Sequence, residues 1–422
     1  MAKGKYSRRS FIRRNSIGFT GLFFSKDLLN SKLIEEFQSL ETTKGGDYVV
    51  SSFFNKDEDI SLDIFGDLNL IRKGSSNMTM GSGETEIKPI NSLQEWESKK
   101  ENLRILYKSI LGVRPNYLDY ELSIKIESEV THDNIIERRV SYQLSPEERV
   151  TSIMLIPKGK NYPLPSLLTI HPTTKYGKEQ TVGRGDIVNG VLTPAAYNRA
   201  YGLHLAEMGY VTFSPDLLGA GERIFPGRGS FDNQPFINAN PEWSGTGKDL
   251  WDLQRAIDVM ETFPEVDSLR IGSIGHSQGA GLTGILSAMD DRIKVGVANC
   301  GIWPLRISKN PFNAARTGWW TGLPALRPYL HLGKPIPVDS HELLAMSAPR
   351  PFLIITALND VGYKEEEESF TRFAWENLDY NVKKLYSLYD EKQKFKSILH
   401  SDGHDFTGKS RKEAYKFIEK YI

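Results

Sequence analysis

The chain has 422 residues, which is enough to bury one large core or two of ordinary size. Its 53 basic side chains equal its 53 acidic side chains, so the charge gives no reason to expect nucleic acid as a partner. The one cysteine, Cys300, excludes an internal disulfide and any zinc site built on cysteine pairs.

Residues 1–25 predict an export signal. Six basic side chains precede a short apolar stretch over residues 17–24. Residues 7–12, Ser-Arg-Arg-Ser-Phe-Ile, match in order the pattern of a bacterial twin-arginine signal. The signal predicts a periplasmic protein, and the alternative is a basic arm on a cytoplasmic one. No apolar run approaches the ~20 residues that a membrane-spanning helix needs in the mature protein.

Residues 26–95 lack sustained periodicity and are interpreted as a linker with a few short packed elements. Apolar residues recur at helical spacing over residues 96–111, and Gly112 supplies a stop. Alternating segments at residues 122–127, 136–142 and 150–157 then predict antiparallel strands.

After Pro165, short apolar runs alternate with amphipathic stretches. The runs are residues 167–170, 210–213, 271–274, 295–298, 352–355 and 395–399, and the helix candidates are residues 196–208, 248–262, 279–289, 366–377 and 409–421. This succession predicts an α/β fold with a mostly parallel sheet, helices on both faces and an antiparallel N-terminal edge. Residues 96–422 would form this single domain, with ligands at the carboxyl ends of the strands.

A candidate nucleophile follows the third of these runs. Gly275-His-Ser277-Gln-Gly279 is a Gly-x-Ser-x-Gly sequence that connects a predicted strand directly to a predicted helix. This is the context of a nucleophile elbow, in which a sharp turn exposes the serine at the edge of the sheet. The alternative for Ser277 is a serine that merely caps the helix.

The base that a nucleophilic serine needs is predicted in the loop after the last strand. His404 lies there, within Ser401-Asp-Gly-His-Asp-Phe406, and is the candidate. His400 is the rival, but it falls where the strand should still be running. His276, beside the serine, is expected to brace the turn.

The acid is predicted at Asp360, just past the strand over residues 352–356. The chain order Ser277, Asp360, His404 is that of α/β-hydrolases and differs from the chymotrypsin and subtilisin orders. Asp360 could instead cap a helix, in which case Glu365 is the alternative acid. Asp216 also lies at the end of a predicted strand, but its position before Ser277 in the chain favours a structural role.

Five stretches of sequence together resemble a known family. They are residues 171–174 with 177–178, 214–223, 251–258 with 264–267, 270–281, and 337–345 with 348–351. From about residue 96 to the end they resemble the bacterial α/β-hydrolases related to acetyl xylan esterases and dienelactone hydrolases. The resemblance implies their fold and the triad roles of Ser277, Asp360 and His404.

The sequence departs from this group at several positions. Dienelactone hydrolases carry cysteine at the elbow, and glucuronoyl esterases carry arginine where this chain has Gln278. His171-Pro-Thr-Thr174 replaces the lipase-type His-Gly-Gly-Gly. The amide of Gln278 is predicted to stabilise the oxyanion together with that of Thr173 or Thr174, since Pro172 cannot donate.

The predicted reaction is hydrolysis of carboxylic esters through an acyl-enzyme, with no metal or organic cofactor. The substrate would be a small-molecule or oligosaccharide ester that carries an acetyl or other small acyl group. A serine peptidase, an esterase of small non-sugar esters, or a non-catalytic binding protein are the alternatives.

Aromatic residues between the fourth and fifth runs suggest how a sugar could be bound. Trp303, Trp319 and Trp320 lie in this segment, which should reach the rim of the site. Flat aromatic faces suit sugar rings, so these tryptophans are predicted to bind substrate. The alternative is that they pack the segment onto the sheet.

Overall fold

The computed structural model describes residues 60–62, 70–72, 90, 92–115, 120–308, 311–332, 336–361 and 368–422. The predicted export signal lies outside these ranges, as does most of the predicted linker. Two short strands of the linker, β1 (Ile60–Leu62) and β2 (Leu70–Arg72), pair in antiparallel fashion. No helix in the described ranges is long and apolar enough to cross a bilayer.

The other helices and strands follow in chain order. They are α1 (Leu93–Leu111), β3 (Lys125–His132), β4 (Ile135–Gln143), β5 (Arg149–Pro157), β6 (Leu164–Ile170), α2 (Lys178–Thr181), β7 (Ile187–Val188), β8 (Val191–Leu192), α3 (Pro194–Asn198), α4 (Tyr201–Glu207), β9 (Val211–Pro215), α5 (Gln234–Ala239), α6 (Gly245–Met260), β10 (Val266–His276), α7 (Gln278–Met289), β11 (Ile293–Asn299), α8 (Arg327–His331), α9 (Ser340–Met346), β12 (Phe352–Ala357), α10 (Glu368–Ser387), β13 (Phe395–His400) and α11 (Gly408–Tyr421).

Nine strands form one mixed sheet in the order β13-β12-β11-β10-β6-β9-β5-β4-β3. The six strands from β13 to β9 run parallel, and β5, β4 and β3 add an antiparallel edge. This arrangement confirms the predicted fold class. The β3–β5 hairpins need only short turns, whereas each parallel pair needs a crossover, which the helices provide.

Helices cover both faces of the parallel strands. Alternate side chains of β11 and β12 point to opposite faces, so these strands are apolar on both. Val295, Val297, Leu353 and Ile355 pack with residues of α4 and α11. Residues on the other face, including Ala298, Phe352 and Ile354, pack with α1, α6, α7, α9 and α10.

Local signals explain several helix ends. Ser92 accepts a hydrogen bond from the Glu95 N–H at the start of α1, and Gly112, with φ of 89°, ends the helix as predicted. The single helix predicted over residues 196–208 is wrong, because the chain breaks between Asn198 and Tyr201. Gly202 lies close to the backbone of Thr181, since a Cβ on it would come within 2.9 Å of the Thr181 carbonyl oxygen.

Helix α10 continues well beyond the end that was predicted for it at residue 377. Leu378, Val382 and Leu385 extend the buried stripe of α10 to Ser387.

The four strands β6, β10, β12 and β13 run parallel, so their carboxyl ends meet at one edge of the sheet. The candidate site residues follow these ends.

Candidate active site

Ser277 occupies a strained turn between β10 and α7. Its φ of 57° and ψ of −120° lie outside the regions that non-glycine residues favour. A Cβ on Gly275 would lie 2.2 Å from the carbonyl carbon of Gly279, and one on Gly279 would lie 2.1 Å from the Ile170 oxygen. The two glycines of the motif therefore permit the close approach that the turn requires.

A third glycine, which the motif did not reveal, supports the same turn. Gly301 follows β11, and a Cβ on it would lie 1.9 Å from the Ser277 carbonyl oxygen. The only signal in the sequence is a glycine placed just past a predicted strand. The neighbouring strand thus supplies part of the elbow.

Substituting Gly301→Ala should lower the free energy of unfolding by about 1–3 kcal/mol, because the added methyl group must displace backbone atoms. Thermal unfolding measures the effect. Gly229→Ala is the matched control, since a Cβ on Gly229 meets no atom within 4 Å. Equal melting temperatures for the two variants would contradict the close packing at Gly301.

Ser277, His404 and Asp360 form a hydrogen-bonded chain. His404 Nε2 lies 2.9 Å from Ser277 Oγ, and its Nδ1 lies 2.7 Å and 2.8 Å from the two carboxylate oxygens of Asp360. Because Nδ1 faces the carboxylate, it carries the ring proton and donates a hydrogen bond to Asp360. Nε2 is then free to accept the hydroxyl proton of Ser277.

The acid and the base differ in exposure. The Asp360 side chain is 1% exposed, whereas the His404 side chain is 21% exposed. The carboxylate is therefore shielded from water, and the imidazole lies at the surface where a substrate can reach it. This is the arrangement that general-base activation of a serine requires.

The ring of His276 packs against the imidazole of His404. Its ring centroid lies 4.8 Å from that of His404, and Asn299 Nδ2 donates to its Nδ1 over 2.8 Å. Burial first, and the neighbouring His404 second, hold the pKa of His276 well below its usual range. His276 thus stays neutral, and its contact with His404 adds to the bracing role expected from the sequence.

The rival residues are placed elsewhere. His400 ends β13, with Nε2 3.8 Å from Cys300 Sγ. Asp216 accepts hydrogen bonds from the backbone N–H and the ammonium group of Lys178, at 2.7 Å and 2.5 Å. These bonds fix the chain at Lys178 and give Asp216 a structural role. Glu365 lies outside the described residues.

The predicted oxyanion residues lie side by side. Gln278 begins α7, so its N–H has no acceptor within the helix. Thr173 Oγ1 donates to Gln278 Oε1 over 3.3 Å. Thr174 Oγ1 instead accepts from the Tyr176 N–H at 3.3 Å. Of the two threonines, Thr173 is therefore the one in contact with Gln278.

His171 positions the loop that carries Thr173. Its Nδ1 donates to the Pro172 carbonyl oxygen over 2.7 Å, and its Nε2 accepts from the Leu217 N–H over 3.0 Å. Burial is the main cause that lowers the pKa of His171, which keeps the ring neutral for these two bonds.

Comparisons with known proteins find hydrolases and esterases among the similar sequences. Residues 246–376 match a family model described as glucuronyl esterase of fungi. YtaP of Bacillus subtilis (strain 168), named as a hydrolase, is 25% identical over 302 residues, which are 70% of this chain and 90% of that protein. A carbohydrate esterase, MZ0003, from an unknown prokaryote is 27% identical over 127 residues, 28% of this chain and 29% of that protein. The chain has the α/β-hydrolase fold and is similar in sequence to a hydrolase and a carbohydrate esterase.

Solved structures share the fold of this chain. A glucuronoyl esterase from Solibacter usitatus superposes with a TM-score of 0.62 at 16% identity and covers 81% of this chain and 96% of its own. A protein from Bacteroides fragilis named as an acetyl xylan esterase gives a TM-score of 0.56 at 17% identity, with 73% and 76% covered.

An aromatic row extends from the loop that follows His171 to the surface of the protein. The Phe231 ring lies 6.5 Å from that of His171 and 5.4 Å from that of Trp320. Trp319 continues the row, is 52% exposed and donates its Nε1–H to the Ser230 carbonyl oxygen over 2.8 Å. The exposed end of this row could contact a substrate.

Trp303 does not share this placement. It is 5% exposed, so its ring has no free face on which a sugar could stack. The tryptophans predicted together therefore separate into a buried Trp303 and a surface pair in which Trp319 is exposed and Trp320 is half-buried. Arg316 places its guanidinium carbon 4.4 Å from the Trp320 centroid and supports that pair.

Proposed function

We propose that this protein hydrolyses carboxylic esters of carbohydrates through an acyl-enzyme on Ser277. The observation that carries the proposal is the continuous hydrogen-bonded chain from Ser277 Oγ through His404 to the buried Asp360. A binding module has no need of a strained serine, a base and an oriented acid in one place.

The reaction has two halves. His404 Nε2 takes the proton as Ser277 Oγ attacks the ester carbonyl carbon, and the alcohol leaves with that proton. A water molecule, deprotonated by the same nitrogen, then attacks the acyl-enzyme, and the carboxylic acid leaves as Ser277 regains its proton. Backbone amides of Gln278 and Thr173 would stabilise the oxyanion, each by about 3 kcal/mol.

Two kinds of support point to a carbohydrate. The relatives of stated substrate class are named as carbohydrate and glucuronoyl esterases. The exposed Trp319 ring beside Trp320 offers flat apolar area of the kind on which sugar rings stack. We propose an acetyl or other small acyl group on the sugar as the bond that is cleaved.

The match of residues 246–376 to the glucuronyl esterase model favours a second candidate substrate. In an ester of a uronic acid, the sugar supplies the acyl group instead of the alcohol. Gln278 stands where glucuronoyl esterases carry arginine, which favours the acetyl ester for this chain.

The test is to incubate the purified protein with acetylated xylo-oligosaccharides, an aryl-alkyl ester of glucuronic acid, an aryl acetate and peptides. Release of acetate from the oligosaccharides is the expected result. Faster release of free uronic acid from the glucuronic acid ester would instead support the uronic acid ester as the substrate. Cleavage of the aryl acetate or of peptides alone would overturn the carbohydrate assignment.

Trp319→Ala and Trp320→Ala should each raise KM for acetylated oligosaccharides about fivefold, an effect of about 1 kcal/mol, because a stacking face is lost. Steady-state kinetics with an aryl acetate should stay unchanged. Tyr380→Ala removes another exposed aromatic ring, 64% exposed on α10, and is the control. Equal losses on both substrates would indicate packing instead of sugar binding.

We also propose that the protein acts in the periplasm after export through Arg8 and Arg9. The proposal rests on the twin-arginine pattern at residues 7–12.

A further inference from the structure

A thiol lies beside the acid and base of the triad. One ligand atom each from Cys300, Asp360 and His404, the sulfur, a carboxylate oxygen and a ring nitrogen, lies within 4.8 Å of the other two. Among the described residues, this is the one group of three or more histidine, cysteine, aspartate or glutamate side chains that converges in this way.

The three residues are held by adjacent strands. Cys300 directly follows β11, Asp360 follows β12, and His404 follows β13, and these strands are neighbours in the sheet. Cys300 is 3% exposed and has a φ of 55°, which fixes its position in the turn before Gly301. The three donors are thus positioned by the sheet itself, as a metal site requires.

A second imidazole lies next to the same sulfur. His400 Nε2 is 3.8 Å from Cys300 Sγ, and its side chain is 7% exposed. In a tetrahedral zinc site with ordinary bond lengths, a sulfur and a nitrogen ligand are about 3.6 Å apart. His400 therefore lies close to the sulfur, but it is not one of the three converging donors.

We propose that Cys300, Asp360 and His404 form an inhibitory zinc site. Thiolate, imidazole and carboxylate are the donors that Zn²⁺ takes in proteins, whereas Mg²⁺ and Ca²⁺ take oxygen donors. The sulfur, a carboxylate oxygen and His404 Nδ1 each donate an electron pair to the ion. The thiol proton leaves to solvent, and the single ring proton of His404 moves through solvent from Nδ1 to Nε2.

Zinc at Nδ1 would stop the base from working. A neutral imidazole that binds metal through Nδ1 carries its proton on Nε2, so Nε2 can no longer accept the proton of Ser277. Asp360 would be drawn from its hydrogen bond with His404 at the same time. The inhibition rests on the proposed function, whereas zinc binding does not depend on it.

Zinc affinity is measured first, without using activity. The purified full-length protein is titrated with ZnCl₂ in competition with a chromogenic chelator. The wild type and Ser277→Ala should each bind one zinc ion, because the serine is not a ligand. Cys300→Ala and Cys300→Ser should bind at least tenfold more weakly. Thermal unfolding shows that both variants are folded.

His132→Ala is the matched control for surface binding, since the His132 side chain is 61% exposed and remote in sequence from the site. It should bind zinc as the wild type does. Loss of binding in His132→Ala, or undiminished binding in both Cys300 variants, would overturn the proposal. Absence of stoichiometric binding to the wild type would overturn it as well.

Ester hydrolysis is measured second. Zinc should inhibit the wild type with a midpoint equal to its binding midpoint, a chelator should restore the rate, and MgCl₂ at the same concentration should have no effect. Zinc that binds at Cys300 without slowing hydrolysis would overturn the inhibitory role. A wild type that binds zinc but cleaves no ester would overturn the proposed function and leave the zinc site supported.

Discussion

Ser277→Ala is expected to lower kcat for ester hydrolysis by at least about 10⁴-fold, because the nucleophilic oxygen is removed and water must attack without it. The fold should be retained, since alanine fills the same space. Initial rates on the ester that the wild type cleaves best measure the loss, and circular dichroism measures the fold.

Ser273→Ala is the matched control for this experiment. Ser273 lies four residues earlier on β10, and its hydroxyl contacts that of Thr283 at 3.2 Å, inside the protein. Its loss should leave kcat unchanged. Near-normal turnover by Ser277→Ala would mean that the elbow is only a structural turn.

Asp360→Asn is expected to lower kcat roughly 10³- to 10⁴-fold. The asparagine amide can donate toward His404 Nδ1, which would place the imidazole proton on Nε2, the nitrogen that must accept the serine proton. KM should change little, because Asp360 is 3% exposed and has no free surface for substrate. Steady-state kinetics measure both parameters.

Asp402→Asn makes the same chemical change in a nearby exposed carboxylate, whose Oδ2 lies 3.5 Å from Thr407 Oγ1. It should retain full activity. Glu365→Gln tests the alternative acid directly. A crippled Glu365→Gln beside an active Asp360→Asn would show that the acid was misassigned.

The candidate triad could be predicted because each member follows a strand with a strong local signal. A strand buried on both faces appears in the sequence as a short apolar run, which can be recognised without knowing its neighbours. A nucleophile elbow needs small residues at Gly275 and Gly279, because larger side chains would clash in the turn. The parallel order of strands then brings their carboxyl ends to one edge. Ser277, Asp360 and His404 are far apart in the sequence, yet the sheet topology alone brings them near one another.

Several features of the site depend on contacts between distant segments. Gly301 supports the elbow only because β11 lies beside β10, and Cys300 meets Asp360 and His404 only across neighbouring strands. The difference between Trp303 and Trp319 is one of burial, which depends on what the intervening loop packs against. No periodicity in the sequence carries this information.

The sequence by itself determined the fold class, the strand succession and the identity of the candidate nucleophile, base and acid, because apolar periodicity and turn chemistry are local properties. The tertiary structure decided which threonine contacts Gln278, which tryptophans have a free face and which residues surround His404. These depend on the distances between strand ends and loops, which arise when the helices pack on the sheet.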